Sequence, residues 1–153
     1  EILTGAGFEH YEVSNYAREG YQCVHNRVYW QNQPYYGFGM GAASYTQGIR
    51  FTRPRTRREY YAWIEEGSKL GEERVTEQDQ LLETLMLGLR LKAGVSLAQF
   101  DPNIKAKIEQ TLQPYQQQGW VSLGERVALT DPEGFLFSNT ILASLFEQFD
   151  LED

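Results

Sequence analysis

The sequence predicts an α+β fold in which a glycine- and aromatic-rich stretch precedes a mainly helical, winged-helix-like domain. Three observations carry this. Residues 1–55 are dense in Tyr, Gly and Asn and show no helical period. From residue 56 onward the chain changes to capped segments with apolar residues three and four apart, the spacing of one helical face. Near the C-terminal end, two alternating runs flank Gly124-Glu125-Arg126. The length, 153 residues, suits about one domain with a real core. A hydrophobic fraction of 41% with 14% aromatics excludes a disordered chain, which lacks the side chains to offset ordering entropy.

Taken in order, His10 to Val13 alternates and is β-prone. Tyr35 to Tyr45 interleaves glycines with aromatics, as a strand or loop closely approached by another backbone or a ligand does. This stretch holds too few aliphatic residues to close a core of its own, so we expect it to pack against further chain. Thr56 and Glu59 form a capping box ahead of Tyr60, Tyr61, Trp63 and Ile64, with Gly67 as a stop. Thr76 caps a second predicted helix carrying Leu81, Leu82, Leu85, Met86 and Leu89, ended by Gly94. Ser96 and Gln99 open a short helix that ends before Pro102. Ile104, Ile108, Leu112 and Tyr115 then line one face of a helix that closes at Gly119, with Pro114 expected to kink or restart it. Trp120–Leu123 and Val127–Thr130 read as a β-hairpin, and Asp131-Pro132 starts a final helix with Leu142, Leu145, Phe146 and Phe149. The order helix, short helix, helix, hairpin, helix is winged-helix-like.

The net charge of −7 is unevenly spread. Residues 1–70 carry eight Lys or Arg against seven Asp or Glu, whereas residues 71–153 carry six against fourteen. The acidic second half argues against nucleic acid as a partner, because phosphate contacts dominate such affinity. Its candidate recognition helix, Asn103 to Gln118, has only Lys105 and Lys107 as cations. The single cysteine, Cys23, permits no internal disulfide and cannot by itself hold a zinc or an iron-sulfur cluster. The chain opens at Glu1 without a signal-peptide pattern, and no apolar run is long enough to span a bilayer. The expectation is a soluble, intracellular chain cut from something longer.

The sharpest motif is His25-Asn26-Arg27-Val28-Tyr29-Trp30, an HNxxYW pattern. Imidazole is a strong iron ligand, and Tyr and Trp offer flat faces and hydrogen-bond donors to a planar macrocycle, which suits haem. The residues alone leave a second reading open, in which His25 caps a turn and the aromatics fill a core. Gly37, Gly39 and Gly41 spell Gly-Phe-Gly-Met-Gly, which matches neither a dinucleotide fingerprint nor a P-loop and favours structural glycines. Cys23 and His10 are weaker ligand candidates, and the basic run Arg53 to Arg58 reads as an exposed turn between two units.

Three motifs in order carry a family resemblance: Tyr11-Glu12-Val13-Ser14-Asn15-Tyr16-Ala17, then HNxxYW over residues 25–30, then Tyr36-Gly37-Phe38-Gly39-Met40-Gly41-Ala42-Ala43-Ser44-Tyr45. The pattern continues through Leu85–Leu91, Gly94-Val95, and Leu129-Thr130 with Gly134. The chain resembles the C-terminal portion of the HemW branch of the oxygen-independent coproporphyrinogen III oxidase-like radical SAM proteins. The resemblance implies that residues 1–55 are the C-terminal end, or edge, of a radical SAM (β/α) barrel and that residues 56–153 are a HemN-type C-terminal domain. It implies an intact cytoplasmic protein, free or peripheral at the membrane, with a 4Fe-4S cluster and S-adenosylmethionine in an N-terminal half. That protein would bind haem and deliver it to apo-haem proteins such as cytochromes. Haem would be held by His25, Asn26, Tyr29 and Trp30, with His25 on the iron, and Gly37, Gly39 and Gly41 stand beside them as cofactor-binding candidates. No catalytic residue is expected in this stretch. The rival readings are conversion of coproporphyrinogen III to protoporphyrinogen IX and an acidic partner-docking module without chemistry. Two departures stand out: relatives commonly carry His at the position of Ala43 and Asp at that of Asn139.

Overall fold

The computed structural model describes residues 2–68 and 73–150. By contact, the chain divides into two compact units: Glu1–Asn32 with Leu81–Asp153, and Gln33–Gln80. The composition change at residue 55/56 coincides with neither joint. The reason lies in the backbone: the N–H of Val13 donates to the carbonyl of Arg90 (2.8 Å) and that of Lys92 to the carbonyl of Tyr11 (3.0 Å), so the first strand is bound to the helical region.

In the larger unit, α1 (Ile2–Gly5) leads into an antiparallel hairpin of β1 (Glu9–Glu12) and β2 (Asn15–Ala17), with His10 opposite Tyr16. Glu12 is fully buried, and its carboxylate accepts from the Ser14 N–H (3.1 Å) and from the side-chain amide of Asn15. Those donors offset the cost of taking a charge out of water. A short helix that the sequence did not signal, α2 (Val24–Trp30), follows.

In the smaller unit, β3 (Ala43–Thr46), β4 (Ile49–Thr52) and β5 (Glu73–Arg74) form an antiparallel sheet in that order. Gln47 and Gly48, both at positive φ, make the tight turn between β3 and β4. Next comes α3 (Arg57–Glu65), with the predicted box in place: Thr56 Oγ1 accepts from the Glu59 N–H and donates to the Glu59 carboxylate at 2.7 Å.

The second predicted helix, α4 (Glu77–Gly88), is capped by Thr76 and stops at Gly88 rather than continuing to Gly94. Residues 90–92 leave it to bond the backbone of β1, as described above. Gly94 instead makes the turn into β6 (Val95–Ser96): its φ is +62°, and a Cβ there would overlap the carbonyl of Val127. After a 3-10 turn at Leu97–Gln99, α5 runs unbroken over Pro102–Gln117. Asp101 caps it through the N–H groups of Asn103 and Ile104. Pro114 neither kinks nor restarts the helix, since it lies in the last turn, where few bonds depend on it, and its carbonyl still accepts from the Gln118 N–H.

The predicted hairpin is β7 (Val121–Leu123) with β8 (Arg126–Leu129), and β6 adds to it in the order β6-β8-β7. The single final helix expected after Asp131-Pro132 is two pieces, α6 (Glu133–Leu136) and α7 (Ser138–Asp150), parted at Phe137. There the Phe137 ring stacks on Trp120 with centroids 4.1 Å apart. The core of this mixed helix and sheet unit is aliphatic: Leu85, Leu89, Leu97, Ile108, Leu112, Val127, Ile141 and Leu145 are fully buried. Each contributes roughly 1.5–3 kcal/mol relative to exposure.

Candidate functional site

The HNxxYW residues sit on α2, a helix of seven residues that begins after Cys23. At about 100° per residue, positions 25, 26, 29 and 30 fall within an arc of about 140°, so all four share one side of the helix. That side is divided by burial. His25 and Tyr29 are exposed and touch edge to face, ring centroids 4.9 Å apart at 83°, whereas Asn26 and Trp30 are half-buried. The alternation of exposed and half-buried pairs follows from the four-residue spacing, which stacks 25 over 29 and 26 over 30. Chemically, the outer pair offers an accessible imidazole beside a phenol, and the inner pair anchors the helix.

Trp30 has two further features. The guanidinium of Arg90 lies over its ring, 5.5 Å from the centroid. Its indole N–H is buried and meets no acceptor among the described residues. Trp30 also lines a cavity of about 240 Å³ shared with Thr84, Leu91, Val95, Gln99 and Arg126. A second cavity, of about 290 Å³, lies between Tyr11, Arg27, Gln31 and Lys92. Arg126 is fixed by two bonds of 2.7 Å, Nε to the Ala93 carbonyl and Nη2 to the Gly94 carbonyl.

The other candidates take different places. Cys23 is exposed at the start of α2. His10 is buried, stacked on Tyr16 (4.2 Å between centroids), with Nδ1 3.0 Å from a carboxylate oxygen of Asp131. It reads as a packing residue of the first hairpin. In the smaller unit, a Cβ on Gly37 would overlap the carbonyl of Ala43, its N–H donates to Ser44 Oγ at 3.0 Å, and its carbonyl accepts from Arg53. Gly39 and Gly41 take positive φ in the exposed loop that follows. Within the basic run Arg53 to Arg58, Arg53 turns inward, its guanidinium near the rings of Phe38, Phe51 and Trp63, while Arg55, Arg57 and Arg58 are exposed.

Arg90, Gln99 and Arg126 did not stand out in the sequence as site residues. Arg90 sits inside an apolar stripe and Arg126 inside a hairpin turn, so each reads locally as structure. The one signal pointing to the two arginines is that they are cations in a stretch otherwise rich in carboxylates.

The fold is similar to that of one class of protein, the radical SAM proteins of HemN type. The pattern of the HemN C-terminal domain matches residues 75–137. The solved structure of coproporphyrinogen III oxidase (HemN) from Escherichia coli, described as a radical SAM enzyme, superposes with a TM-score of 0.66 at 17% identity, over 98% of this chain and 38% of that one. More particularly, the chain is 50% identical to the protein named Heme chaperone HemW from Synechocystis sp., over 95% of this chain and 41% of that protein. It is 34% identical to Heme chaperone HemW from Lactococcus lactis, over 100% of this chain and 40% of that protein. It is also 33% identical to the bovine mitochondrial radical S-adenosyl methionine domain-containing protein 1, over 96% of this chain and 37% of that protein. The chain is similar to the C-terminal portion of the HemW-like radical SAM proteins. It spans about two fifths of the length of the curated relatives it matches.

Proposed function

We propose that this chain contributes the haem-binding helix of a haem chaperone, with His25 as the iron ligand and Asn26, Tyr29 and Trp30 beside the macrocycle. The whole protein would deliver haem to apo-haem proteins such as cytochromes, working in the cytoplasm. The observation that carries this reading is the exposed imidazole of His25 on the same side of α2 as the other three motif residues. The residues fit the group: an accessible nitrogen for iron, an adjacent phenol, and a half-buried indole ring. Haem, when bound, supplies an open iron coordination position, and the role of this chain is to hold and orient it.

Residues 1–55 fit the edge of a radical SAM barrel and residues 56–153 a winged-helix-like domain. The strand order β6-β8-β7 beside α4 and α5 supports the second assignment. S-adenosylmethionine and a 4Fe-4S cluster belong to this reading of the whole protein, yet a cluster needs three or four thiolates and this chain has only Cys23, so no step is assigned to it here. Gly37 is explained by packing, and Gly39 and Gly41 by the turn they make, so none of the three is given a cofactor role.

The test is a haem titration of the full-length protein and of His25→Ala. Loss of affinity by about tenfold or more, with a shifted Soret band, is expected for removal of an iron ligand. Equal affinity and an unchanged band would sink the assignment. Anaerobic turnover of coproporphyrinogen III with S-adenosylmethionine would favour the oxidase reading instead.

A further inference from the structure

We infer that Arg90 is a positioning residue: its guanidinium, lying over Trp30, fixes α2 and with it the imidazole of His25. The helix has little of its own to keep it in place. Its seven residues are fewer than the roughly 12–15 that an isolated helix needs in water. Cys23 at its N-cap supplies no side-chain bond, and none of its residues is fully buried. Among the half-buried ones, Asn26, Val28 and Trp30, the indole is the largest anchor. Its N–H meets no acceptor among the described residues, so no hydrogen bond orients the ring. What lies over that ring is the guanidinium of Arg90, 5.5 Å from the centroid.

Arg90 is itself held from two directions. Its N–H donates to the Leu87 carbonyl (3.1 Å) at the end of α4, and its carbonyl accepts from the Val13 N–H (2.8 Å) of the first hairpin. Leu89 and Leu91, on either side of it, are buried. The side chain is half-buried, and among the described residues its guanidinium makes no ion pair or hydrogen bond; the Trp30 ring is the one group it engages. A cation withdrawn from water in this way needs a substitute partner, and the face of an indole is the best that an aromatic side chain offers. A flat guanidinium also stacks on that face, which an ammonium does not. Trp30 stands five residues beyond His25, about 7.5 Å along the helix axis, so a tilt of about 15° at the anchored end displaces the His25 end by about 2 Å. A ligand site tolerates only about 0.5 Å. The consequence for iron rests on the reading above, whereas the anchoring of α2 does not.

The test is amide hydrogen exchange and haem titration of the full-length protein carrying Arg90→Gln or Arg90→Lys. Without haem, Arg90→Gln is expected to speed exchange over residues 24–31 by about three- to tenfold, while residues 104–115 stay unchanged and certify the fold. Arg90→Lys, which keeps the cation but loses the flat stack, is expected to recover part of that protection. Adding Arg90→Gln to Trp30→Leu is expected to speed exchange no further than Trp30→Leu alone, because the contact is already gone. Unchanged exchange over residues 24–31 in Arg90→Gln, equal acceleration in both stretches, no recovery in Arg90→Lys, or full additivity in the double variant overturns the anchor. In the haem arm, Arg90→Gln is expected to bind about three- to tenfold more weakly with the Soret band in place, since His25 still reaches the iron, whereas His25→Ala moves the band. Undiminished affinity in Arg90→Gln beside a loosened α2 breaks the link between anchor and iron site. Equal haem binding by His25→Ala defeats instead the reading above, and exchange over residues 24–31 then decides the role of Arg90 alone.

Discussion

The two units are held by different physics. The larger one buries Leu85, Leu89, Ile108, Leu112, Ile141 and Leu145 completely, from three helices and the residue that follows the first of them. In the smaller, only Ser44 and Tyr45 are buried among the described residues, while Phe38 is 85% exposed and Tyr36, Met40, Tyr61 and Ile64 face outward. Its organising group is a cation: Arg53 donates to the Gly37 carbonyl and, at 3.2 Å, to Ser44 Oγ, and lies beside three aromatic rings. An aliphatic core resists small changes because close packing is cooperative, whereas a network centred on one side chain is only as strong as that side chain.

The contrast is open to direct attack. The largest effect is expected from Leu112→Ala, which leaves a cavity in the core of the larger unit and costs about 2–5 kcal/mol in a denaturant titration. A loss below 1 kcal/mol would mean that this core is not what holds the unit. Arg53→Met comes next. It removes two hydrogen bonds and three cation–ring contacts, and we expect about 1–2 kcal/mol, seen as faster amide exchange over residues 43–52 with unchanged exchange over residues 104–115. Equal acceleration in both stretches would erase the distinction. The smallest is Thr56→Ala, which costs α3 its cap for about 1 kcal/mol and is read as fraying of residues 57–60 in the same exchange experiment. Fraying that reaches α5 as well would contradict a local effect.

The same difference explains what the sequence made legible. The helices of the larger unit are amphipathic and capped, so Leu81 to Leu89, Ile104 to Tyr115 and the hairpin around Gly124 announce themselves by period. Errors fell where a long-range backbone contact overrides a local signal. Gly94 is a stop signal in sequence, but α4 ends at Gly88 because residues 90–92 are claimed by β1. The α2 helix was missed for the opposite reason: its two turns bury no residue fully, so no apolar stripe betrays them. Its motif residues were nevertheless visible as chemistry, because His, Asn, Tyr and Trp together are an unusual set. The cavity beside Trp30 was not, since nothing in the chain between residue 30 and residue 126 says that Trp30 and Arg126 line the same space.

The buried carboxylate of Glu12 bears on the order in which the molecule assembles. Both of its donors lie within three residues of it, Ser14 in the turn that joins β1 to β2 and Asn15 at the first position of β2, so they reach it at almost no cost in loop closure. The backbone partners of β1, at Arg90 and Lys92, are about eighty residues away in the chain and arrive late on those grounds. The partners of this carboxylate are thus local in sequence while the backbone that encloses it is distant, so a change at Ser14 or Asn15 acts on the acid without touching the long-range pairing of β1.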